Sequence, residues 1–140
     1  MQLAATSTAA NPRTSTRTYP GTAEQVSKVR ADLGPLLTDC PVADELLLCA
    51  SELAANAALH SRSARPGGTL TVCLEFRSVV HARIEVRDDG GSWPEHLRRP
   101  QPEAERPHGL DIITALADDW GIIDSAAGRT VWAEITWPKP

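Results

Sequence analysis

No stretch of this 140-residue chain comes near the ~20 consecutive apolar residues that span a bilayer, although 41% of its residues are hydrophobic. The N-terminus also lacks the basic-then-apolar layout of a signal peptide. A cytoplasmic protein with no membrane partner is the expectation. A basic surplus is missing as well. The formal charge is -4, and since Arg13 and Arg17 are the only charges in residues 1–18, the remainder is two units more negative still. Nucleic-acid binding needs a basic face, so that balance argues against a nucleic-acid partner. Cys40, Cys49 and Cys73 are odd in number and show no C-x-x-C spacing, which excludes a disulfide framework and a zinc knuckle and suits a reducing compartment. They read as small core or surface residues. His60, His81, His96 and His108 are not spaced as ligands, and no internal repeat is visible.

What remains is a chain long enough to bury one core. Residues 1–18 are rich in Ser, Thr and Ala, with Leu3 the only large aliphatic residue after the initiator. They are expected to form a flexible tail before a single domain over residues 19–140. Thr22, Ala23, Glu24 and Gln25 have the form of a capping box, and Val26, Val29, Leu33 and Leu37 continue at helical spacing. Gly34 and Pro35 should shorten or kink that helix. Pro41 suits the first position of a second helix, whose stripe is Leu46, Ala50, Leu53 and Ala57 and which should run to about Ser61. After turn residues, Leu70, Val72, Leu74 and Phe76 alternate with polar neighbours, as do Ala82, Ile84 and Val86, and the two runs predict a hairpin. Residues 93–106 carry Pro94, Pro100 and Pro102 and read as a mobile lid. Leu110, Ile113, Leu116 and Ala117 predict a third helix, followed by two strands around the turn at 125–128. Trp120 and Trp132 are expected in the core, given the area a tryptophan buries.

Three features carry chemistry. Glu45, Glu52 and Asn56 share one face of the second helix. By themselves they read as a solvated face, yet Ala54, Ala55, Ala57 and Ala58 leave little bulk beside Asn56, which suits a large ligand. Magnesium takes few protein ligands and shares phosphate oxygens, so Asn56 could supply it one oxygen, and Glu52 could accept a proton from an attacking hydroxyl. Asp88 continues the Ala82, Ile84, Val86 phase, so a carboxylate points where aliphatics are buried. It needs a partner, such as the amine of adenine, or else it caps the turn into Gly90 and Gly91. His108, Gly109 and Leu110 open the third helix, whose N-terminus could receive phosphate. Thr130, after Gly128, could offer a hydroxyl, although a turn glycine before a strand threonine is the more ordinary explanation.

The order of these parts resembles the GHKL ATPase superfamily, and within it the small anti-sigma-factor kinases and related ATP-binding regulators of actinobacteria. SELAANAALHS (51–61) resembles the family's N box, VRDDGG (86–91) its first glycine box, HGLDIITALADDWG (108–121) its second and GRTVWAEI (128–135) its third. The resemblance covers roughly residues 20–137. It implies a Bergerat fold, an α+β two-layer sandwich with a mixed sheet packed on helices, and it implies ATP and Mg2+ as cofactors. It places Glu52 as general base, Asn56 as magnesium ligand, Asp88 as adenine contact, and Gly90, His108, Gly109, Leu110 and Thr130 along the nucleotide. Ser92 stands where a second glycine is usual, and Pro107 where the second box usually begins with glycine. ATP binding therefore follows more directly than efficient turnover.

The resemblance implies a serine/threonine kinase acting on a small anti-sigma-factor antagonist, with a sigma factor as a second partner and a homodimer as an admissible state. The rival is an ATP-dependent binding module that transfers no phosphate, and a third reading is an α/β binding domain without nucleotide. With no histidine-bearing helix pair ahead of the domain, a complete sensor histidine kinase is not expected.

Overall fold

A computed structural model of the chain describes residues 13–61, 65–91 and 109–139. The expected lid over 93–106, and Ser92, Pro107 and His108, lie outside the described residues. Within them the chain forms β1 (Arg13–Pro20), α1 (Gln25–Leu33), a 3-10 turn (Gly34–Leu37), α2 (Ala43–His60), β2 (Thr69–Ser78), β3 (His81–Asp88), α3 (Gly109–Leu116), β4 (Asp119–Ser125) and β5 (Gly128–Thr136). The strands make one sheet in the order β1-β2-β3-β5-β4. The two-layer α+β arrangement is as expected. Its sheet is antiparallel at every pairing among the described residues, where a mixed sheet was expected.

Alternation sets the core. Leu70, Val72, Leu74 and Phe76 of β2 face the helices with Ala82, Ile84 and Val86 of β3, and the register pairs Val72 with Val86 and Leu74 with Ile84. On the other side of β3, Val86 meets Val131 and Ile84 meets Ala133. A slip by one residue would turn every one of these side chains to the opposite face. α2 lies against β2, β3 and β5 and also contacts α1 and α3. Ala50, Ala54, Ala57 and Ala58 are all buried where α2 packs against the sheet, α1 and α3. Three of the four alanines expected to make room for a ligand thus belong to the core, and only Ala55 is half-exposed.

Several boundaries move. α1 begins at Gln25 without a side-chain cap, because the Thr22 carbonyl accepts the Gln25 N–H in a turn ahead of the helix. Gly34 and Pro35 end α1 as expected, continuing as the 3-10 turn. Pro41 sits in the turn closed by Ala43 N–H to Cys40 C=O, and α2 starts two residues later with Asp44 and Glu45 in its first turn, where the helix dipole favours them.

The flexible-tail reading fails for residues 13–18, which belong to β1 and pair with β2 along its whole length. Backbone hydrogen bonding needs no apolar side chain, and only Tyr19 of this strand is buried. Trp120 packs against the core as expected. Trp132 does not: it lies on the outer face, beneath the Arg83 guanidinium at 4.3 Å and flat against Gly121, where a Cβ would meet its ring. Cys49 is fully buried, and burial pushes its thiol up to about 12, so it behaves as a core residue. No helix of the described residues is long and apolar enough to cross a membrane.

Tyr19, the only tyrosine, donates its hydroxyl to Asp32 Oδ2 at 2.8 Å. Its pKa is pushed up to about 12, first by burial and then by that hydrogen bond. Since the folded value exceeds the ordinary ~10, this contribution to stability is complete below ~10 and is lost as pH rises through about 12. Ultraviolet titration should show phenolate near pH 12 in the native protein and near ~10 in denaturant, with Asp32→Asn lowering the native value. A native titration at ~10 would place the ring in solvent.

Candidate functional site

β3 carries its inward phase through Ala82, Ile84 and Val86 to Asp88, which is only 3% exposed. Asp88 Oδ1 accepts the Gly90 N–H at 2.6 Å, so the turn-capping role left open by the sequence is present. Gly90 and Gly91 sit at φ +80° and +115°, conformations that side chains rarely adopt. Burial pushes the Asp88 carboxyl above its ordinary range, while the Gly90 N–H and the Arg129 charge work in the opposite direction.

Arg129 was not singled out in the sequence. It is 2% exposed and paired directly with Asp88 across the β3–β5 ladder. Its Nε–H donates to Asp124 Oδ1 at 3.1 Å, its Nη2 donates to the Gly91 carbonyl, and its Nη1 stands 3.8 Å from Asp88 Oδ2. The signal was available: Arg129 continues the inward phase of Val131, Ala133 and Ile135, as Asp88 does on β3. The same phase turns Thr130 outward. It is paired with the exposed Arg87 and Ile123, on the face opposite Asp88, because adjacent strand residues point to opposite sides. Thr130 is therefore not brought to Asp88, and Arg129 stands there in its place. Gly128, at φ +146°, packs so closely that a Cβ would run into the Asp88 carbonyl oxygen.

On α2, Glu52 is half-buried and Asn56, one turn later, is 8% exposed. Asn56 Nδ2 is buried and has no hydrogen-bond partner among the described residues. Just before Glu52, Ser51 is held by the Arg30 guanidinium at 2.8 Å and donates to the Leu47 carbonyl at 2.7 Å, tying α1 to this turn of α2. α2 contacts both β3 and α3, so the elements carrying the expected residues meet at this helix. α3 does begin at Gly109. Leu110, however, is fully buried in the core, so any contact it makes with a ligand is through its backbone. Among the described residues no three His, Cys, Asp or Glu side chains gather as a metal cage. A divalent ion beside Asn56 would take most of its oxygens from ligand and water, as magnesium does. A separate groove of about 650 Å³, lined by Arg13, Leu36, Phe76, Val79 and Trp137 among others, opens at the opposite end of β2 and β3 and contains none of these residues.

A family model for the histidine kinase-like ATPase domain matches residues 19–135. The chain belongs to that family. Membership makes ATP the expected ligand of this histidine kinase-like domain. Among solved structures, one similar in fold is "The crystal structure of the RsbU and RsbW domains of Rv1364c from Mycobacterium tuberculosis". It is 20% identical with a TM-score of 0.63, over 91% of this chain and 33% of that one. The chain thus spans about a third of the length of that relative. No curated protein matches the sequence.

Gly128→Ala should cost about 2–4 kcal/mol, from the left-handed backbone together with the collision at the Asp88 carbonyl. Urea unfolding of the variant measures this directly. A cost under ~0.5 kcal/mol, the size of an ordinary surface change, would show that the β3–β5 contact yields easily.

Proposed function

We propose that the chain is an ATP-binding regulator that works as a serine/threonine kinase on a small anti-sigma-factor antagonist. The observation that carries the nucleotide half of this reading is Asn56. A buried carboxamide with an unsatisfied atom costs about 1–3 kcal/mol, a cost a ligand can relieve. Amide oxygen and nitrogen are assigned by their surroundings, so Asn56 can turn its oxygen to a metal ion. The family supplies the ligand class, and the fold likeness to a structure containing an RsbW domain supports the regulatory half.

In this reading Asp88 faces the adenine amine, Gly90 allows the base to approach the backbone, and the N-terminal N–H groups of α3 at Gly109 and Leu110 meet phosphate. Asn56 would hold Mg2+, whose charge would offset that of the phosphate oxygens. Glu52 takes the proton of the attacking hydroxyl. The hydroxyl oxygen bonds to the γ-phosphorus, the bond from that phosphorus to the β,γ-bridging oxygen breaks, and ADP departs with the electron pair. Thr130 has no part in this arrangement. A cytoplasmic setting, where ATP and a sigma factor are both present, fits the activity. A second reading, an ATP-gated binding module without transfer, is favoured by Ser92 and Pro107 at positions where glycine is usual.

Calorimetry with Mg-ATP is the first test, and no binding at millimolar concentration would overturn the reading. Asn56→Ala should weaken Mg-ATP itself. Glu52→Ala should leave binding within a few-fold and slow transfer to the antagonist by ~10²–10⁴, because a general base acts mainly in the transition state. If the wild type binds ATP but phosphorylates no partner, and Glu52→Ala is indistinguishable from it, the binding module is the correct reading.

Asp88→Asn should weaken adenine nucleotides by about 1.5–3 kcal/mol, on the order of ten- to a hundredfold, and guanine nucleotides less. Equal losses for both would confine Asp88 to its turn.

A further inference from the structure

The buried guanidinium of Arg129 stands beside Asp88, and the proposed chemistry does not use it. A cation buried so completely has to be held by several partners. Two of its arms are fixed by hydrogen bonds, Nε to Asp124 and Nη2 to the Gly91 carbonyl. The third arm, Nη1, is presented to Asp88 Oδ2 at 3.8 Å, beyond hydrogen-bond reach. Arginine–carboxylate pairs frequently close into a bidentate contact, and this one does not. Here the side-chain charge attracts Oδ2 without a hydrogen bond of its own, while the carboxylate accepts the Gly90 N–H at Oδ1 and also the backbone N–H of Arg129. Asp88 is thus held by two backbone donors and balanced in charge, and a carboxylate with about four acceptor sites keeps capacity for a further donor.

We propose that Arg129 is a positioning residue for base recognition: braced by Asp124 and the Gly91 carbonyl, it acts through Asp88, holding the carboxylate in the geometry that receives a base bearing an exocyclic amine. The inference rests on the nucleotide-binding reading above. Only a planar fork can reach Asp124, Gly91 and Asp88 together, and a lysine ammonium cannot.

The experiment is a double-mutant cycle on ATP affinity, with thermal stability followed in parallel. Arg129→Lys should weaken ATP about tenfold when Asp88 is present, and by less than about twofold in an Asp88→Asn background, since its effect runs through Asp88. Asp124→Asn, at a half-exposed position, loosens the fork without removing it. It should show the same pattern at about threefold, which keeps the test open if Arg129→Lys fails to fold. Equal weakening in both backgrounds, or unchanged affinity in the Asp88-containing variants, overturns the proposal and leaves the nucleotide reading intact. If the unsubstituted protein binds no ATP, both readings fall, and that result is seen before any substitution is made.

Discussion

The antiparallel pairing of β3 with β5 is the constraint on which the site depends. It sets Asp88 opposite Arg129. It also brings Gly128 so close to the Asp88 carbonyl that only glycine fits. The register is enforced from a distance, because Val131, Ala133 and Ile135 must face the helices. A slip of one residue would carry Arg129 to solvent, bring Thr130 inward and expose that apolar set. Core packing over three inward rungs of the ladder therefore decides which polar side chain meets Asp88 at the fourth.

The helical layer answers the same demand. The alanines of α2 allow close packing against the sheet, α1 and α3, and that proximity draws Asn56 into a buried position although it lies on the polar side of the helix. The Arg30–Ser51 hydrogen bond then ties α1 to the turn that presents Glu52. Stability and site are built from the same residues: small side chains bring the helix down, and close packing leaves a carboxamide with an unsatisfied atom.

The outer face of the sheet uses different means. Glu134 gathers Arg83, Arg77 and His81, and Trp132 lies flat between Gly121 and Arg83. These contacts cover a face with no second layer of described structure. A tryptophan expected in the core is spent here, because its place in β5 alternates with the inward residues. The inward phase governs polar and aromatic side chains alike.

Much of this was legible in the sequence because it depends on local period. Alternation located β2 and β3, the turn at 125–128 located β4 and β5, helical spacing located the buried stripes of α2 and α3, and the inward phase of Asp88 marked a carboxylate out of place. The order of Glu52, Asn56, Asp88 and Gly109 was specific enough to name the family to which the chain belongs. What the sequence could not supply was register between strands distant in the chain, since alternation fixes the phase within a strand and not its partner. Only the tertiary structure set the inward-facing Arg129 of β5 directly opposite Asp88 of β3. It also paired residues 13–18 as an edge strand held by backbone hydrogen bonds, which no side-chain pattern announces.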